Sequence, residues 1–214
     1  MHLKSAITSV LALAVSLSAG ACGSKSSKGA EDAGPEPTID AGYPASNKAR
    51  VKFKGNDRLR NEFARMLDLD PAIVCTELGL YSCTHLVHQV ALGGSEPYGL
   101  GLNEPLPFTT ITTPLAVDRL ALSACRTRVD LDLATPSTAF IYKGALADAD
   151  GDDVAAAIDL LYKQALIRPP QEDEIESLRQ LHRDVEALGG TNTVRDWAIG
   201  SCFAVSTTME QLFY

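Results

Sequence analysis

Apolar positions recur at helical spacing along most of the chain after about residue 55. Leu59, Phe63 and Met66 or Leu67 fall on one face behind a start signal at Asn56 or Asp57, while Arg58, Arg60 and Arg65 lie largely off it. Asp70-Pro71 predicts a second, short helix with Ile73, Val74 and Leu78 as its stripe and Gly79 as its stop. Ser82 or Thr84 predicts a third, which buries Leu86, Val87, Val90 and Leu92 before Gly93-Gly94. Residues 93–113 lose the period and read as a long Gly/Pro-rich loop, packed by Tyr98, Leu100, Leu102, Leu106, Phe108 and Ile111 or used for function. Thr113-Pro114 opens a strongly apolar helix through Leu115, Val117, Leu120, Ala121, Ala124 and Cys125, which should be central.

Beyond Val129 the pattern weakens. Asp130 to Leu133 alternates and Ala139 to Tyr142 is β-prone, a pattern that leaves room for a small strand pair there. Three further helices follow. The first starts at Asp152 or Asp153 and buries Val154, Ile158, Leu161, Leu166 and Ile167. The second runs from Pro169-Pro170 and the acidic Glu172-Asp173-Glu174 to Gly189-Gly190, and carries Ile175, Leu178, Leu181, Val185 and Leu188. The third follows Thr193 and carries Trp197, Cys202, Phe203, Met209, Leu212 and Phe213. The fold class is therefore all-α: a single multi-helix domain over 52–214, about six helices, with at most a short β pair.

The N-terminal quarter follows other rules. Lys4 and the apolar run Ile7–Leu17 have signal-peptide form, too short for a membrane span. The junction Ser18-Ala19-Gly20-Ala21-Cys22 resembles the lipobox of bacterial lipoproteins, although Ala19 stands where that family usually has Leu. The resemblance implies cleavage after residue 21 and a diacylglyceryl group on Cys22. Gly23 after the Cys implies the outer rather than the inner membrane. An ordinary secretory signal with Cys22 as a spare thiol is the competing reading. Residues 22–51 are rich in Ala, Gly, Pro, Ser and acidic side chains without apolar period, and form a disordered tether. As a coil its mean span is roughly 30 Å.

Charge narrows the partners. The chain is 45% apolar with a formal net charge of −8. Removing residues 1–21 takes one Lys, leaving 18 basic against 27 acidic side chains. That balance argues against nucleic acid and against charge-driven docking on anionic lipid. Membrane contact then falls to a lipid on Cys22, and an envelope protein is the expected partner.

After Cys22 four cysteines remain, an even count that reads as two disulfides in an oxidising compartment. Cys75–Cys83 and Cys125–Cys202 are the favoured pairs, with two other connectivities open. His85 and His88 at i and i+3, beside Cys83, are the candidate metal ligands, with Cys75 as a soft partner. A metal- or redox-linked accessory protein built on those four residues is the alternative function. Asp148 to Asp153 resembles a calcium loop, but the EF-hand register fails and turn chemistry explains it. Cys83 and His85 carry no nucleophile signature, and neither a catalytic motif nor a cofactor motif stands out.

The run Leu160 to Tyr214, with Leu166, Arg168, Pro170, Glu174, Leu178, Trp197 and Phe213, is similar to a helical module of large planctomycete-type exported proteins associated with cytochrome c domains. The stretch from Cys75 to Asp132 looks like a group of short bacterial envelope lipoproteins. The resemblance implies family membership and transfers no catalytic residue. Cys-x-x-Cys-His is absent from the chain. The expected function is a membrane-anchored, non-enzymatic interaction module of the cell envelope. An enzyme whose site leaves no sequence signature is the remaining alternative.

Overall fold

The computed structural model describes residues 51–105 and 109–214. The signal segment 1–21, Cys22, the tether up to residue 50, and the loop residues Leu106 and Phe108 lie outside the described residues.

Among the described residues the fold is all-α. Six α-helices occur: α1 Asn56–Met66, α2 Thr113–Ala134, α3 Asp152–Ala165, α4 Glu172–Ala187, α5 Thr193–Ser206 and the single turn α6 Met209–Leu212. A two-stranded antiparallel hairpin, β1 Thr76–Glu77 and β2 Tyr81–Ser82, and a π-helical turn Cys83–Val87 stand between α1 and α2. α5 packs on α2, α3, α4 and α6, and its Trp197, Ala198, Cys202 and Val205 are wholly or almost wholly buried. The Cys125–Cys202 disulfide joins α2 to α5 with Cα atoms 5.7 Å apart. Leu59, Phe63 and Met66 of α1 complete the core, with Val154, Ile158 and Leu161 of α3.

Proline and acid set the helix starts. Pro114 occupies the first turn of α2, where its missing N–H has no partner to lose. α4 begins with a reciprocal cap, Gln171 and Glu174 each holding the other's backbone. The segment just before α1 is zipped to the segment that follows α6. Lys52 and Tyr214 exchange backbone hydrogen bonds of 2.9 and 3.0 Å, Phe53 meets Phe213 edge-on at 5.6 Å, and Arg58 covers the Tyr214 ring.

Three local expectations are corrected. The strand pair at 130–142 does not form. α2 runs on to Ala134, and buried Asp132 accepts the N–H groups of Phe140, Ile141 and Tyr142 at 2.7, 2.9 and 3.0 Å. A carboxylate thus satisfies a backbone that would otherwise need a strand partner. The short helix expected after Pro71 is replaced by turns and β1. The helix expected at 82–92 is replaced by β2, the π-helical turn and further turns. As a result Ile73, Leu78, Leu86 and Val87, expected to be buried, are exposed, and of the expected stripes Val74 and Leu92 are the fully buried members.

Candidate interaction surfaces

The segment between Val74 and His88 is organised by its disulfide. Cys75 and Cys83 bracket β1 and β2, with Cα atoms 5.5 Å apart, and the Cys83 N–H donates to the Cys75 carbonyl. The turn between the strands is Leu78-Gly79-Leu80, closed by the Leu80 N–H on the Glu77 carbonyl at 3.1 Å. Leu78 has φ 54° and Gly79 φ 71°, both left-handed. Gly adopts that conformation freely, whereas a leucine is strained there by roughly 1 kcal/mol. Leu78 is also 86% exposed and Leu80 77% exposed, so no packing on this chain offsets the strain. Tyr81, Leu86 and Val87 add further exposed apolar surface.

The base of the hairpin is braced by charge. One Glu77 carboxylate oxygen contacts His88 Nε2 at 3.1 Å and accepts from Arg119 of α2 at 2.9 Å. Beside it a groove of about 600 Å³ is bounded by β1, α2 and α5. Thr76, Glu77, Arg119, Leu122, Arg126 and Arg195 line it, together with Asp130. Arg195 grips Asp130 through two bonds of 2.7 and 3.1 Å, and this holds the Asp130 carboxyl below its ordinary range.

The second surface is the loop before α2. The Glu96 carboxylate accepts the N–H groups of Gly99 and Leu100 at 2.6 and 2.5 Å, and the Leu102 N–H donates to the Glu96 carbonyl. This folds residues 96–102 into a tight turn with Tyr98 at its outside, 98% exposed. Leu100 is exposed as well, and Ile111 is 95% exposed next to the α2 start. The loop is therefore held by a carboxylate and backbone, and Tyr98, Leu100 and Ile111 do not supply the internal packing expected of them.

The candidate metal ligands are not brought together. Cys75 and Cys83 are spent in a disulfide, His88 is turned to Glu77, and His85 faces Asp57 of α1 at 3.8 Å. Among the described residues no group of three or more His, Cys, Asp or Glu side chains is placed to hold a metal ion. The acidic run 148–153 is divided among local tasks. Asp148 accepts the Asp150 N–H, Asp150 pairs with Arg183, and Asp153 accepts the Ala145 N–H. No helix among the described residues is long and apolar enough to cross a membrane.

The residues that carry the C-terminal resemblance turn out to be joints. Arg168 bridges Glu174 and Glu210 at 2.7 and 3.0 Å and lies over the Tyr162 ring. Trp197 donates to the Leu178 carbonyl at 3.0 Å, and its ring meets Tyr142 edge-on and His182 at a tilt. Phe213 packs against Phe53, just before α1. The His182 Nε2–H donates to the Leu146 carbonyl at 2.8 Å, which leaves Nδ1 buried without a partner. Neither His182 nor Asp132 stands out in the sequence. Polar residues inside an amphipathic period carry no mark of the loop that later folds onto them.

No family model matches the chain, and no curated protein or solved structure is similar to it at a significant level.

Proposed function

We propose that this chain is a lipid-anchored protein of the bacterial cell envelope whose helical domain is a non-enzymatic interaction module. The observation that carries the reading is the loop turn held by Glu96, which presents Tyr98 and Leu100 outward, with Ile111 exposed further along the same loop. A turn held by its own hydrogen bonds, with large apolar side chains in solvent, fits a contact surface better than a scaffold. The leader and the Cys22 junction support the anchor, and Gly23 supports the outer membrane. The groups that suggested metal or redox chemistry have structural duties, which weighs against that alternative. In this reading the anchor and tether keep the domain within reach of the membrane while the loop engages another envelope protein.

Two experiments test it. The mature protein should fractionate with membranes, and Cys22→Ser should release it. Cosedimentation of that variant after a high-salt wash would refute the anchor. In-cell crosslinking should capture an envelope protein that is lost on Tyr98→Ser, Leu100→Ser and Ile111→Ser together. Equal capture by wild type and variant would refute the contact surface, and stoichiometric zinc or copper with free Cys75 and Cys83 would revive the metal reading.

A further inference from the structure

We propose that the stapled hairpin is a self-association face. The Leu78-Gly79-Leu80 turn of one copy seats in the groove between β1, α2 and α5 of a second copy, and the exchange is reciprocal. It does not rest on the role given to the loop at Tyr98, because none of those side chains takes part.

Area is the first argument. Ile73, Leu78, Leu80, Tyr81, Leu86 and Val87 are all exposed within fifteen residues of chain. Exposed apolar side chains gathered in and around one stapled segment mark an interaction surface. A two-fold contact makes both copies contribute that surface, which moves the buried area toward that of a standard interface. Shape is the second. Thr76 and Glu77 belong to the hairpin and also form a wall of the 600 Å³ groove, so knob and hollow lie side by side. A two-fold axis between two copies needs that adjacency, since the same patch must serve as donor and acceptor.

Order is the third argument. The disulfide, the closed turn and the Glu77 contacts to His88 and Arg119 fix the hairpin before it binds anything. Little conformational entropy is then left to lose on association. A strained, rigid knob matches a shaped protein hollow, whereas a bilayer would accept a loose one. Charge points the same way. The groove mixes Arg119, Arg126 and Arg195 with Glu77 and Asp130, so two copies of a net-acidic chain meet there without like-charge repulsion. No Lys or Arg occurs between residues 73 and 90, and Arg119 and Arg195 of the groove are paired with Glu77 and Asp130, so this face offers little free basic charge to anionic headgroups.

The test uses the processed chain, residues 22–214 with Cys22→Ser, in sedimentation equilibrium up to about 100 µM, where a micromolar Kd is readable. A dimer is expected. Leu78→Asp with Leu80→Asp should weaken it at least tenfold while leaving the far-UV spectrum unchanged. Leu80→Cys with Leu122→Cys should form a crosslink between copies, and Leu80→Cys with Leu131→Cys should not, since Leu131 is no part of the groove. A wild-type chain that stays monomeric, or a dimer indifferent to the two Asp substitutions, would overturn the proposal. So would a monomer whose hairpin binds zwitterionic vesicles, which would make the bilayer the occupant instead.

Discussion

Arg128 and Asp132, one turn apart on α2, meet at 2.8 Å with both side chains sealed from water. The other Arg128 contacts reach back to the carbonyls of Leu67 and Asp68 at the end of α1. The carboxylate of Asp132 reaches forward to three backbone N–H groups at residues 140–142. One ion pair therefore fixes the exit of α1, the middle of the bundle and the loop before α3. Asp132→Asn would leave the guanidinium buried without its counter-charge, and should lower stability by about 3–5 kcal/mol. Urea denaturation reads it directly, and a change under 1 kcal/mol would contradict the role given to Asp132.

The two disulfides should contribute unequally. Cys125–Cys202 spans 77 positions and Cys75–Cys83 spans 8. Chain-entropy arithmetic assigns them roughly 4–5 and 2–3 kcal/mol respectively. Replacing the first pair with Ala should depress Tm more than replacing the second. The reverse order would mean that the hairpin staple secures more than its own loop.

Acid should unfold the domain through three carboxyls. Burial works against Glu62, but hydrogen bonds from Lys54 and Arg58 prevail and lower its pKa. Arg195 lowers Asp130 and Arg168 lowers Glu174. A lowered folded-state pKa contributes stability above the unfolded values, here 3.8 for Asp and 4.5 for Glu, which is lost as pH falls through the folded ones. Tm should be flat above about pH 5.5 and fall steadily below pH 4, and Asp130→Asn should make the fall shallower.

Alkali should act through Tyr142. Burial is the first cause that raises its pKa, and its hydroxyl donates to the Ala198 carbonyl at 2.8 Å. The unfolded phenol ionises at its ordinary value of 10.0 while the folded one keeps its proton, so stability should decline once pH passes that value. Tyr142→Phe should start less stable at neutral pH and decline less steeply in alkali, as followed by fluorescence of the single tryptophan, Trp197.

Strain should be relievable. Ile167, a β-branched residue at φ 58° and 80% exposed, ends α3 where glycine is the favoured residue. Ile167→Gly should stabilise by about 0.5–1 kcal/mol. A destabilised variant would mean that the Ile167 side chain makes a contact the backbone argument ignores.

Where the amphipathic period was long, the helices lie where the sequence places them, although Ile167, expected on the buried face of α3, follows the helix end and is exposed. The helix starts at Asn56, at Thr113-Pro114 and after Gly151, and the stop at Gly189-Gly190, follow from residue chemistry that acts within one turn. The stretch 71–92 shows the limit. Its apolar residues at helical spacing read as two buried stripes, yet the eight-position staple and the left-handed pair Leu78-Gly79 bend it into a hairpin. Spacing reports a potential face; it does not report whether the bundle has room to cover it.

The sequence alone determined the all-α class, the place of the helices with long apolar stripes, and the acidic balance of the chain. Those depend on interactions between neighbours in the chain. The tertiary structure decided that Asp132 serves three distant N–H groups, that Trp197 hangs on the Leu178 carbonyl, and that Leu78, Leu80 and Tyr98 face water. Burial and polar partnership are set by which surfaces meet once the helices pack, and no local pattern encodes that.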